Sequence, residues 1–218
     1  MNKKQINNIL IWFSAIVLII LIMTPGLWVV LTAFRPQVDV MAKPAVWIPR
    51  NLNLIQFETM LFGGSEGSMG RSPIPVLSYL RNSIIISFTS TFIAVLVGTI
   101  GGYGFARHNF KHKNKYFLLI MLTRTIPGIS LSLPIFIIFS KIGLIDTHIG
   151  IILVFVALNI PFTIWLTDGF FRQIPRAMSE VAMTDGCTKL QAFWHIELPL
   201  SRSGIASAGI FAFLISWN

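Results

Sequence analysis

The sequence predicts an all-α integral membrane protein, a polytopic helical bundle, on three observations. Apolar residues make up 54% of the chain and charged residues 11%, with a mean hydropathy of +0.74, a balance that soluble domains seldom show. The apolar residues fall in several continuous runs close to the ~20 residues that cross ~30 Å of hydrocarbon. Those runs do not alternate polar and apolar positions as the strands of a membrane barrel do. A chain of 218 residues with a formal charge of +9 could suggest a nucleic acid partner. In a membrane protein, however, the distribution of Lys and Arg over the loops matters more than their sum, so no nucleic acid is expected and the surrounding partner is lipid. A single cysteine, Cys187, excludes an intrachain disulfide and a Cys-rich metal site.

Each element follows from the chain in order. Lys3 and Lys4 precede an apolar run from about Ile9 to Leu31, which is too long for a signal peptide and lacks a small-x-small cleavage site. Residues 1–34 are therefore expected to be an N-terminal segment and first span, with the N-terminus in the cytoplasm. Residues 35–78 turn polar and rich in Pro and Gly, with Trp47-Ile48-Pro49 and Gly63-Gly64-Ser65-Glu66-Gly67, and read as an extracytoplasmic loop. Residues 79–218 read as the core domain.

A second span covers about Tyr79 to Tyr103 and carries Gly98, Gly101, Gly102 and Gly104. These permit close helix approach, a reading favoured over a hinge because glycine is common in membrane helices. Arg107, His108, Lys111, His112, Lys113 and Lys115 form a basic patch, as the positive-inside rule expects of a short cytoplasmic loop. The third span, about Tyr116 to Ser140, is expected to be interrupted by Pro127, Gly128 and Pro134. Lys141 to Thr147 is a short outer loop. The fourth span, about His148 to Leu166 with Asn159-Ile160-Pro161 in its middle, returns the chain to the cytoplasm before Arg172.

This topology places Lys3, Lys4, Arg107, Lys111, Lys113, Lys115, Arg172, Arg176, Lys189 and Arg202 inside. It places Arg35, Lys43, Arg50, Arg71, Arg81 and Lys141 outside, mostly over one long loop. A fifth apolar run begins near Ser203 and reaches Trp217-Asn218, about 15 residues or ~22 Å of helix. That falls short of a crossing, and a C-terminally incomplete chain is expected.

Between the fourth and fifth runs, residues 172–202 hold a polar island with its own punctuation. Pro175 can open a helix and Gly186 can close it in a left-handed cap. Thr188 and Gln191 then make a capping box for a second helix, which Pro199 is expected to end. Val181, Leu190, Phe193 and Trp194 exceed what a polar loop needs, so a partner or the base of the bundle must cover them. An amphipathic surface helix and a helix-turn-helix DNA reader are the alternatives. Against DNA, the pair is strung between spans and mixes Glu180, Asp185 and Glu197 with Arg176 and Lys189.

No catalytic constellation emerges. There is no G-x-x-x-x-G-K-[ST] and no H-E-x-x-H. His108 and His112 stand at i and i+4, but no third ligand is near and the lysines repel a cation, so no metal is expected. Arg124 lies well inside a span, where a charge is a functional candidate by default, although snorkelling to the interface also accounts for it. Asn159, Ser207 and Ser216 are polar positions in spans that face either a pathway or a neighbouring helix.

At these residues the sequence resembles the inner-membrane permease subunits of binding-protein-dependent ATP-binding-cassette importers. Their hallmark is a cytoplasmic loop with Glu-Ala-Ala, then Gly, then an Ile-x-Leu-Pro ending. Here it stands as Glu180-Val181-Ala182, Asp185-Gly186 and Ile196-Glu197-Leu198-Pro199, with Val181 and Ser203 as mild departures. The similarity extends through Gly102-Tyr103-Gly104-Phe105-Ala106-Arg107, Arg124-Thr125-Ile126-Pro127, Ile142-Gly143-Leu144-Ile145-Asp146-Thr147 and Pro161-Phe162-Thr163-Ile164-Trp165-Leu166 to Trp217-Asn218. It points to the carbohydrate branch, of the maltose-permease-G-like kind.

The resemblance implies a type I importer permease fold of six helices, about five of them within this chain, in a bacterial or archaeal cytoplasmic membrane. It implies no chemistry in this chain and no bound cofactor, with ATP and Mg held by a cytoplasmic ATPase dimer. The other implied partners are a second homologous permease subunit and an extracytoplasmic solute-binding protein. Glu180, Val181, Ala182, Asp185, Gly186, Phe193, Ile196, Leu198 and Pro199 are then expected to couple to the ATPase, and Arg124, Asn159, Ser207 and Ser216 to border a substrate path. A sugar or sugar-like solute is expected. A non-sugar solute such as a glycerol-phosphate or an amino acid, or an intramembrane enzyme using Arg124, are the alternatives.

Overall fold

The computed structural model describes residues 3–40, 42–43, 53–54, 57–58 and 76–217. Most of the loop expected over residues 35–78, with both of its turn-rich stretches, lies outside the described residues, as does Asn218. Every regular element among the described residues is helical. The chain divides into two compact units, residues 1–77 and 78–218.

In the first unit, α1 runs from Lys3 to Ala33 with Pro25 inside it. Its span Lys4–Ala33 has a mean hydropathy of 2.5 and buries none of its most apolar window within the chain. A helix that is apolar all round and uncovered by protein has the character of a membrane span. The hydroxyls of Thr24 and Thr32 return to the carbonyls of Ile20 and Trp28, at 2.6 and 2.7 Å, so neither is left unsatisfied in hydrocarbon. Beyond the helix, the Arg35 guanidinium sits 4.5 Å from the centroid of Trp28, and a short helix α2 covers Gln37–Val40.

The second unit is built on two long helices, α3 (Val76–Arg107) and α6 (His148–Gln173), both long and apolar enough to span. They approach through glycine. A Cβ on Gly98 would collide with Thr163, one on Gly101 would lie 3.0 Å from Ile164 Cγ1, and one on Gly102 would strike Thr167. Gly104 faces open space, so three of the four glycines do the packing expected of them. The contact is also hydrogen-bonded, since Thr167 Oγ1 lies 3.2 Å from the Gly98 carbonyl and 2.7 Å from that of Thr163.

Between these helices the chain forms α4 (Lys113–Leu122), a 3-10 turn (Thr123–Thr125) and α5 (Gly128–Ile142). The two halves meet at 93°. The bend falls at Ile126 and Pro127, where Ile126 is extended with ψ 120°, as a residue before proline must be. Pro134, expected to interrupt the span as well, stays inside α5. Membrane helices accommodate such a proline where neighbouring groups satisfy the freed carbonyl.

Gly143, at φ +70°, closes α5, and Thr147 caps α6 by accepting from the Gly150 amide at 3.1 Å. The fourth span was expected to end near Leu166, but α6 continues to Gln173. Asp168 and Arg172 explain the extension, since they pair at 2.8 Å one helical turn apart and Asp168 is buried.

After the polar island, α10 (Arg202–Trp217) packs along α6. Its buried residues are Gly204, Ala208, Ala212 and Ser216, a small residue every fourth position, which lets two backbones come close. Gly204 sits against the ring of Phe170, where a Cβ would collide. Counting the bent pair of α4 and α5, and the bent pair formed by 189–200 and α10, the described residues hold up to five spans.

Candidate docking site

The polar island folds into two short helical segments on the ends of α3 and α6. Helix α7 (Arg176–Thr184) starts after Pro175, which takes the N-cap place with ψ 129°. Its C-terminus is a complete Schellman motif. Gly186 sits at φ +93°, its amide donates to the Met183 carbonyl at 3.2 Å, and the Cys187 amide donates to that of Ala182 at 3.0 Å.

Helix α8 (Lys189–Ala192) opens with the capping box. The Gln191 amide donates to Thr188 Oγ1 at 3.3 Å, and the Thr188 amide donates to Gln191 Oε1 at 2.8 Å. A π-helical turn then covers Phe193–Glu197, with the Leu198 amide bonded back to the Phe193 carbonyl, and leads into α9 (Leu198–Leu200). Pro199 was expected to end this segment, yet the helix passes through it and turns at Ser201. The wide π turn restarts the hydrogen-bonding pattern, so Pro199 falls at an early position of the next turn, where an amide hydrogen is not required.

The nine residues expected to couple to a partner divide by exposure. Glu180, Val181, Asp185, Gly186 and Pro199 are exposed, Ile196 and Leu198 are half-buried, and Ala182 and Phe193 are buried. Val181 keeps 61% of its surface open, and Leu190 and Trp194 keep 67% and 55%. A groove of about 580 Å³ runs between α7 and the second segment, lined by Ala177, Met178, Val181, His195, Ile196, Pro199 and Leu200.

Phe193 faces the other way. Its ring centroid lies 4.5 Å from that of Tyr103 and 6.2 Å from that of Phe171. With Ala106, Ile174 and Leu198 it forms the apolar floor of the site. Here Phe193 acts as an anchor of the segment rather than as part of its open face.

Beside that floor is a polar joint that the sequence reading missed. Arg107 Nε donates to Glu197 Oε2 at 2.7 Å, and its Nη2 donates to the Ile174 carbonyl at 3.0 Å. The Ser179 hydroxyl donates to Glu197 Oε1 at 2.6 Å. The two charged side chains expose only 9% and 2% of their surface. Arg107 therefore does not belong to the solvated basic loop in which it was counted. The signal for it was Glu197 itself, a lone carboxylate between Ile196 and Leu198 that needed a cation once buried.

The four candidates for a substrate path do not converge. Asn159 is fully buried, and its Nδ2 donates to Ser216 Oγ at 3.1 Å and to the Ala212 carbonyl at 3.4 Å. Asn159 and Ser216 thus bond α6 to α10, and the Ser87 hydroxyl joins α3 to them through the Ser216 carbonyl at 3.0 Å. Ser207 lies off the buried stripe of α10 and bonds back to the Ser203 carbonyl at 2.8 Å. Arg124 is exposed, with its guanidinium 4.8 Å from the centroid of Phe162. Among the described residues no three His, Cys, Asp or Glu side chains gather as metal ligands would.

Comparison with known proteins places this geometry. Residues 94–218 match the family model described as the binding-protein-dependent transport system inner membrane component. A sulfoquinovosyl glycerol transport system permease of Agrobacterium fabrum is 28% identical over 207 residues, 95% of this chain and 69% of that protein. A diacetylchitobiose uptake system permease of Streptomyces coelicolor is 28% identical over 94% of this chain and 71% of its own. A trehalose transport system permease of Mycobacterium tuberculosis is 32% identical over 89% of this chain and 66% of its own.

Among solved structures, a bacterial ABC transporter involved in the import of the acidic polysaccharide alginate superimposes with a TM-score of 0.77 at 17% identity. The match covers 100% of this chain and 73% of that one, and it establishes the fold. The matched family works together with a binding protein and an ATPase, and its members are multi-pass permeases of the bacterial inner membrane that carry no catalysis of their own. The chain belongs to the family of inner membrane components of binding-protein-dependent transport systems.

Proposed function

We propose that this chain forms part of the translocation path for a sugar or sugar-like solute and receives the force of ATP hydrolysis through the loop around Glu180–Gly186. The observation that carries the coupling reading is the open face of α7. Glu180, Val181, Asp185 and Gly186 are exposed on a helix closed by a Schellman motif, beside an apolar groove. An apolar side chain 61% open next to two carboxylates gives a partner both grip and register. ATP and Mg belong to the partner, a cytoplasmic ATPase dimer. A second homologous permease subunit completes the path, and an extracytoplasmic solute-binding protein delivers the solute. The sugar reading is supported by relatives named for trehalose, diacetylchitobiose and sulfoquinovosyl glycerol.

Closure of the ATPase dimer draws the docking helices of the two permease subunits together and rocks the bundle from inward-facing to outward-facing. The test is co-purification of the assembled complex. Gly186→Asp and Glu180→Lys should each release the ATPase while the permease remains in the membrane, and normal association in both variants would falsify the docking assignment. A ligand screen of the associated binding protein reads the solute class. Selective binding of a glycerol-phosphate or an amino acid in place of a sugar overturns the sugar assignment and leaves the coupling reading intact.

A further inference from the structure

Two buried carboxylates in the second unit pair with arginine, and they do different things. Asp168 and Arg172 pair within one helix, whereas Arg107 and Glu197 join elements far apart in sequence. One guanidinium at the end of α3 holds both the carboxylate at the end of the π turn and the Ile174 carbonyl at the end of α6. That carboxylate also receives the Ser179 hydroxyl from α7. Four elements meet in three hydrogen bonds of 2.6 to 3.0 Å.

The apolar contacts of α7 are thin by comparison, since Ala182 is its one buried residue among those described. A small apolar contact resists sliding weakly, because dispersion forces have no direction. A planar guanidinium bonded to two acceptors fixes both distance and angle. Burying the pair costs desolvation, so its value lies in geometry more than in net stability.

We propose that Arg107 and Glu197 are positioning residues that make the docking helix and the cytoplasmic ends of α3 and α6 move as one body. The proposal rests on the docking reading given above. A displacement imposed on α7 then reaches α3 undiminished, and the close glycine contact between α3 and α6 carries it into the bundle.

The experiment uses the assembled transporter in lipid nanodiscs, in a Cys187→Ser background, with spin labels at Leu96→Cys on α3 and Arg176→Cys at the start of α7. The label distance is measured without nucleotide and after trapping with Mg-ATP and vanadate. The expected result is one narrow distribution whose mean moves by less than about 2 Å between states, the scale of ordinary helix shifts. Arg107→Met with Glu197→Gln, which removes both charges and leaves neither unpaired, should broaden the distribution or shift it beyond that limit on trapping. A wild-type distance that changes on trapping overturns the proposal, and so does a double variant as narrow as wild type.

If the double variant does not assemble, Arg107→Lys carries the test. It keeps the charge but cannot hold Glu197 and the Ile174 carbonyl in one fork, so it should give an intermediate width, and wild-type width overturns the proposal. A wild-type permease that binds no ATPase fails the docking reading instead. The joint is then read from the permease alone, where equal widths in wild type and variant overturn it.

Discussion

Glu197 is 1% exposed, and its two carboxylate oxygens take hydrogen bonds from Arg107 and Ser179. Removing one member of such a pair strands the other charge, so Glu197→Ala should lower unfolding stability in detergent by about 3–5 kcal/mol. Removing both charges with Arg107→Met and Glu197→Gln should cost much less, and thermal denaturation of the two variants side by side measures the difference. The glycines of α3 give a second contrast at this scale. Gly102→Val places new atoms against Thr167 and within 2.9 Å of the Asp168 amide nitrogen, an overpacking that should cost about 1–3 kcal/mol. Gly104→Ala meets nothing within 4 Å and should leave the melting temperature unchanged in the same assay. Equal effects at the two positions would contradict the close approach of α3 and α6.

At the scale of the element, the docking unit is a set of local rules that agree with one another. A capping box starts α8, a π turn admits Pro199, and Gly186 ends α7. Gly186 has open space around it and φ +93°, so its demand is conformational and not steric. Gly186→Ala should therefore destabilise the loop by about 1–2 kcal/mol, read as faster amide exchange at Gly186 and Cys187, with no change in the packing of α3 on α6. Gly186→Asn should lose less, since asparagine tolerates the left-handed region. These caps were legible in the sequence because capping depends on neighbours three or four residues away. The Arg107 to Glu197 joint was not legible, since it spans 90 residues and nothing local in either residue names its partner.

For the whole molecule, the loop assignments make a further prediction. A cysteine introduced at Asp146, in the turn between α5 and α6, should react with a membrane-impermeant maleimide from outside intact cells. One at Lys111, between α3 and α4, should react only after the inner membrane is opened. The reverse pattern would invert the topology and place the docking unit on the wrong side for a cytoplasmic partner.

Hydropathy and punctuation determined that this chain is a helical membrane protein, where its spans begin, and where its polar island is capped, because those properties are set by composition and short-range bonding. The stretch from Glu180 to Pro199 likewise carried its family resemblance in the linear order of its residues. Only the tertiary structure decided which of those residues look outward. Val181 is open while Ala182 and Phe193 are buried, and Phe193 faces inward because Tyr103 and Phe171 supply a floor for it from distant helices. It also decided that the Asn159 amide donates to Ser216 and to the Ala212 carbonyl, since a buried amide bonds whatever helix packing brings within reach. Where the chain turns back on itself, burial and pairing are properties of the packed helices, and no single stretch of sequence contains them.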